Sequence, residues 1–211
     1  MSVWTFALGK TLSGWLWPEN GAPPPHHQAL RDFVTGFILP HENAYAKGHY
    51  GDPAFVVTEH VPGDAGGATK YGIDAASHPG ISIETLTEED AVNIYLSEFA
   101  AVHWSIYGKL PPALTEFPFP AAFAFFDCRE NCGTHAAWLC AQRALALTAD
   151  GIPGVNTRTA VLKADTGFAN RLIDQRMAYH RSIAANHADD AQFLEGWLNR
   201  CTDLKLYLAK A

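Results

Sequence analysis

Two adjoining stretches, AAFAFFDCRENCG at residues 121–133 and HAAWLCAQRALAL at residues 135–147, constrain this chain most. The first is apolar nearly all round, and a helix with no polar face belongs at the centre of a fold. The second carries apolar residues at helical spacing, and Gly133 punctuates the pair. A chain built around them is mainly α. Hydrophobic residues make up 48% of the 211 positions, enough apolar surface for one domain with a smaller lobe.

The flanking patterns agree. Leu30, Phe33, Val34, Phe37 and Ile38 recur at i, i+3, i+4, i+7 and i+8, which predicts an amphipathic helix starting near Gln28. Pro40 should kink that helix or end its regular hydrogen bonding, with Glu42 and Tyr45 following at its end. Thr87 and Asp90 form a capping-box pattern, and Ala91, Ile94, Tyr95 and Val102 carry a helix onward to about Tyr107, where the LPP turn at residues 110–112 stops it. Beyond a DGIPG turn at residues 150–154, helical patterns cover about 156–163, 166–186 and 188–209. Residues 48–79 are rich in Gly, Pro, Asp and His, with a short strand-like FVVT at 55–58, and read as irregular structure or a small hairpin. The stretch NGAPPPHH at residues 20–27 reads as a stiff linker behind a Trp-rich N-terminal arm.

A net charge of -7 and a pI near 5.7 argue against holding nucleic acid or anionic lipid by bulk electrostatics. Cys128, Cys132, Cys140 and Cys201 contain no CxxC pair and all fall in predicted helices, so they read as buried thiols. Ten histidines raise the possibility of a metal, with Asp52, Glu59 and Asp64 as carboxylate ligands, but no HExxH or HxH spacing supports it, and neither metal nor cofactor is expected. No apolar run is long enough to span a bilayer, and residues 2–17 lack the basic start and small-residue cleavage site of a signal peptide.

Three kinds of function compete: a glycoside hydrolase, a metal-dependent hydrolase, and a binding protein without catalysis. Sugar hydrolysis needs a carboxylic acid in a partly apolar setting to protonate the leaving oxygen, and a second group to position water or attack. Glu42, after an apolar helix and with Tyr45 close behind, suits the first role. The loop GDAGGATKYGID at residues 63–74 suits the second, because Gly66 and Gly67 let backbone approach a ligand while Asp64 and Thr69 offer a carboxylate and a hydroxyl.

These residues resemble the lysozyme-like N-acetylmuramidases of glycoside hydrolase family 108, which include phage endolysins and secretion-associated muramidases. DAGGATKYGI at residues 64–73 is similar to the family's D-x-G-G-x-T-x-x-G-I loop, and ENAY at residues 42–45 keeps the Glu and Tyr of its Glu-Gly-Gly-Tyr segment while replacing both glycines. His103-Trp104 followed by LPP, FFDCRENCG at 125–133, DGIPGVNTRTAV at 150–161 and FLEGWLNR at 193–200 resemble later features in the same order, the last two from its peptidoglycan-binding region. The resemblance implies cleavage between N-acetylmuramic acid and N-acetylglucosamine, with Glu42 as general acid and Asp64 and Thr69 holding the attacking water. Glu59 is the rival acid, because residues 48–62 read as an insertion that carries Glu42 away from the loop. Tyr45, Gly66, Gly67, Tyr71, Trp104, Asp127 and Asn131 would contact the glycan. The alternative on the same scaffold is a catalytically inactive peptidoglycan binder.

The expected organisation is an arm and linker at 1–27, a lysozyme-like catalytic domain at 28–148, and a helical peptidoglycan-binding-like region at 149–211. The expected partner is the glycan strand, reached from the bacterial cytoplasm with the help of a holin or a secretion machine, by a monomeric protein.

Overall fold

The computed structural model describes residues 27–60, 65–100, 117 and 120–210. The chain divides into two compact units, Met1–Glu98 and Phe99–Ala211. The described elements are mainly helical, with one small sheet.

In the first unit, α1 (His27–Phe33), a π-helical segment (Val34–Ile38) and α2 (Leu39–Glu42) follow one another without a break. The five residues of the predicted apolar stripe are all buried. Pro40 accounts for the π segment: a proline inside a helix has no N–H to give and crowds the carbonyl one turn back, so the helix widens by one residue. Leu39 N–H accordingly reaches back to the Val34 carbonyl, and His41 Nδ1 lies 2.8 Å from the Phe37 carbonyl.

A three-stranded antiparallel sheet follows, made of β1 (Glu59–His60), β2 (Ala68–Lys70) and β3 (Ile73–Asp74) in that order. Lys70 pairs with Ile73, so Tyr71 and Gly72 alone make the turn between β2 and β3. Both have positive φ, 58° and 75°, the pairing that gives a two-residue turn the twist of its strands. The sheet and the 3-10 turn Ile83–Thr85 lead to α3 (Glu88–Ala100). The capping box is present: Asp90 N–H donates to Thr87 Oγ1 at 3.2 Å, and Thr87 N–H donates to Asp90 Oδ2 at 3.1 Å.

The second unit is built on α4 (Ala121–Ala144), α5 (Val155–Leu162), α6 (Phe168–Asn186) and α7 (Leu194–Leu208), with a 3-10 stretch at Ala188–Phe193. Gly133, at φ 80° and ψ 160°, breaks α4 where the sequence places the end of one helix and the start of the next. The side chains of α4 from Ala121 to Cys128 are buried, as its all-round apolarity requires. Trp138, from the other half of α4, packs at 4.4 Å between ring centroids against Phe125. All four cysteines are free thiols on helices, three of them buried, and burial pushes the Cys201 thiol above its ordinary value. The DGIPG turn is held by Gln142, whose Oε1 accepts the N–H groups of Asp150 at 3.1 Å and Gly151 at 2.8 Å.

Candidate active site

Glu42 is the last residue of α2. Asn43 leaves the helix in extended conformation, at φ -77° and ψ 126°, so the Glu42 side chain stands half-buried at a helix end where backbone changes direction. It packs against the turn between β2 and β3. A β-carbon placed on Gly72 would lie 2.9 Å from Cβ and 3.0 Å from Cγ of Glu42, and 2.6 Å from the Tyr95 hydroxyl. Glycine is therefore required twice at position 72, by its positive φ and by lack of room. Tyr95, on α3, donates its hydroxyl to the Tyr71 carbonyl at 2.9 Å and fixes the same turn from the other side.

Exchanging Gly72 for Ala should displace Glu42 as well as strain the turn. We expect a stability loss of about 1–3 kcal/mol and, for the general-acid role that the family resemblance implies for Glu42, a fall in glycan turnover on the order of 100-fold. A thermal melt and a turrover assay on the same preparation check both; an active variant of normal stability would show that the contact is not needed.

Thr69 sits at the centre of β2, where its ladder partners are Glu59 on β1 and Asp74 on β3. Residues directly opposite across antiparallel strands share a face of the sheet, so Glu59, Thr69 and Asp74 form one polar row. Asp74 is engaged locally. Its Oδ1 accepts Ser77 N–H at 2.8 Å; burial works to raise its carboxyl pKa, and hydrogen bonds from Ser77 and Ala76 together with the charge of His78 outweigh burial and lower it. His78 in turn places Nε2 at 3.1 Å from Glu98, and that hydrogen bond raises the imidazole above its ordinary value.

Of the residues singled out in the sequence, the first unit brings Glu42, Tyr45, Gly66, Gly67, Thr69 and Tyr71 into the segments around this turn. Gly67 uses a positive φ of 74°, and the open side of Gly66 faces the Asp74 side chain. Tyr71 is 6% exposed, and burial raises its phenol. The expectation that its ring meets the glycan is therefore corrected: the left-handed backbone at Tyr71 turns the ring into the core, under the Lys70 ammonium at 5.3 Å, and its carbonyl serves the site through Tyr95. Asp64, Trp104 and the N-terminal arm lie outside the described residues.

Asp127 and Asn131 belong to the second unit, and there Asp127 has a structural post. Fully buried, it receives a hydrogen bond from Arg176 and a forked one from Arg200, Nη2 to Oδ1 at 2.6 Å and Nε to Oδ1 at 3.2 Å. Burial pushes the Asp127 carboxyl up, and the charges of Arg176 and Arg200 overcome burial and hold it below the ordinary aspartate range. With no exposed surface, its carboxylate is not a glycan contact; a buried acid in an apolar helix has to be paired, and here it is. Asn131 lies one turn further along the same helix and donates from Nδ2 to the Asp127 backbone carbonyl at 3.0 Å. Sequence reasoning missed both arginines, and it missed Gly72 and Tyr95 as the parts that seat Glu42. The Tyr-Gly turn was the available signal for the latter pair. Among the described residues, no group of His, Cys, Asp and Glu is arranged to hold a metal ion, and no helix is long and apolar enough to cross a membrane.

The arrangement in the first unit is thus a half-buried carboxylic acid at a helix end, seated against a glycine turn of a small sheet whose centre carries a hydroxyl; the second unit, by itself, is locked by a buried ion triad. Residues 57–133 match the family described as Glycosyl hydrolase 108, and residues 136–202 match the Predicted Peptidoglycan domain. Glu42 precedes the first match, while Glu59, Asp64 and Thr69 fall inside it. No curated protein matches the chain. Among solved structures, that of Brucella abortus SagA is similar in fold, with a TM-score of 0.53 at 23% identity over 73% of this chain and 86% of that one. The two family matches support a peptidoglycan hydrolase of the glycosidase kind. The stretch 57–133 is thus similar to glycosyl hydrolase family 108, and the stretch 136–202 to the peptidoglycan domain.

Proposed function

We propose that the chain is an N-acetylmuramidase that cleaves the β-1,4 bond from N-acetylmuramic acid to N-acetylglucosamine, with Glu42 as general acid. The observation that carries this reading is the seating of Glu42 against Gly72, which ties the acid to the loop that bears Asp64 and Thr69. Glu42 gives its proton to the glycosidic oxygen as the bond to C1 breaks. A water held by Asp64 and Thr69 adds to C1 from the opposite face, and Asp64 takes up the proton the water loses, so the anomeric configuration inverts. Three residues then share two tasks, and no cofactor enters. The substrate lies in the cell wall, so the enzyme is made in the cytoplasm and delivered to the wall, as a monomer.

The test is a digest of purified peptidoglycan by the wild-type protein, with the products reduced by borohydride and read by mass spectrometry. New muramitol ends support the proposal. New glucosaminitol ends would make the enzyme a glucosaminidase, and intact glycan sedimenting with bound protein would leave a wall binder whose Asn43 and Ala44, in place of the family's two glycines, had cost it catalysis.

A further inference from the structure

Residues 43–57, all but the last of which lie ahead of both family matches, form a built arm directly after Glu42. Tyr45 bridges Val56, Ala46 N–H donates to the Phe55 carbonyl at 2.9 Å, and Val57 N–H donates to the Ala44 carbonyl at 3.0 Å. The tip is stitched by His49 to Ala46, Asp52 to His49 and Phe55 to Asp52, each bond 2.9–3.1 Å, with Asp52 Oδ1 accepting from Ala54 N–H. Backbone held this closely presents its side chains in fixed places.

What it presents is aromatic. Tyr50 stands between Gly48 and Gly51, both at positive φ, and is 88% exposed. Its ring meets the Tyr45 ring edge-on at 5.4 Å, and Asn43 Nδ2 donates to the Tyr45 hydroxyl at 3.2 Å, so the ring behind Tyr50 is itself anchored next to the acid. On the other limb, His49 stacks on the half-open Phe55 at 3.6 Å. A fold that wanted only to close this loop had no need to leave a tyrosine almost wholly in water; exposed aromatic groups on a rigid mount mark contact surfaces.

We propose that this arm is a sugar-stacking ledge, in which Tyr50, backed by Tyr45, receives the C–H face of a hexosamine further along the strand that is cut at Glu42. The occupant follows from chemistry and continuity: the same backbone runs from Glu42 through Tyr45 to Tyr50, so a strand lying on the acid is led onto the ledge. A pyranose offers an apolar face with hydroxyls at its rim, which fits the exposed Tyr50 ring, backed by a Tyr45 whose hydroxyl accepts from Asn43, better than it fits an aliphatic patch. This inference rests on the glycan-cleaving function proposed above.

Binding is measured with Glu42→Gln as the parent, so that substrate persists, using peptide-free glycan strands of defined length and isothermal titration. Adding Tyr50→Ala should weaken binding of long strands about tenfold, with little change for a disaccharide, and Tyr50→Trp should restore it. In the cleaving protein, Tyr50→Ala should raise KM and leave kcat near wild type. Equal binding by parent and Tyr50→Ala across all lengths would overturn the ledge, as would a loss that is the same for disaccharide and long strand. Absence of cleavage by the wild type refutes the muramidase instead, and the titration still decides the ledge.

Discussion

With Glu42 as the proposed general acid, Glu42→Gln is expected to remove most glycan cleavage and to leave the fold alone. The amide keeps the size and shape of the acid but has no proton to give, so turnover should fall by about 10²–10⁴-fold, the usual worth of a positioned acid. Stability should change by no more than about 0.5 kcal/mol, since Glu42 is half-buried at a helix end and its Cβ and Cγ, which touch the Gly72 turn, are kept. If the loss is in the chemical step alone, kcat falls while glycan affinity stays, and single-turnover assays show it. Glu59→Gln is the necessary comparison, because Glu59 faces Thr69 directly across the sheet. It should retain turnover within a few-fold. An inactive Glu59→Gln beside an active Glu42→Gln would move the acid to β1 and reverse the assignment.

Asp127→Asn acts on the fold. Two guanidiniums converge on one fully buried carboxylate, Arg176 buried with it and Arg200 10% exposed along its side chain. Removing the anion leaves buried positive charge uncompensated, a change that typically costs about 3–5 kcal/mol, set against a total stability of roughly 5–15 kcal/mol for a domain. Urea unfolding should show the midpoint fall with the slope unchanged. Exchange of the whole set, Asp127→Leu with Arg176→Met and Arg200→Met, should lose much less than Asp127→Asn alone, because an apolar set of similar volume is close to neutral where a broken ion group is not. The wild type also has a defined acid limb. The Asp127 carboxyl sits below its ordinary value in the folded protein, so its contribution is fully present above the unfolded aspartate value, about pH 4, and is lost as pH falls through the lower folded value. Asp127→Asn lacks that limb. A variant as stable as wild type would mean that the two arginines find another partner.

How far the sequence could be read depended on the range of the interactions. The helices of α1, α3, α4, α6 and α7 were legible because burial of one stripe or of the whole circumference is a local pattern, and Gly133 and Pro40 marked their interruptions. That Pro40 would yield a π segment and not a bend was hidden, since the choice depends on how Phe37, Ile38 and Leu39 pack. Thr69 in a loop with two glycines was visible as chemistry, but its register opposite Glu59 and Asp74 was not, because FVVT reads as the strand while the ladder forms at Glu59–His60. Tyr71 was misjudged because one left-handed residue reverses the side to which a ring points. Asp127 was read as a glycan contact because its partners Arg176 and Arg200 stand 49 and 73 residues away, beyond any spacing rule.

The same triad says something about heredity. Asp127 lies in the stretch that matches the hydrolase family, and both of its arginines lie in the stretch that matches the peptidoglycan domain. The seam between the two matches falls within α4, beside the break at Gly133, where Phe125 on one side of the glycine packs on Trp138 from the other. Two names in the sequence are thus one object in the folded chain. Recombination at that seam, in nature or in a chimaera, would strand an acid in one product and two bases in the other, so these neighbouring segments can be exchanged only as a matched set.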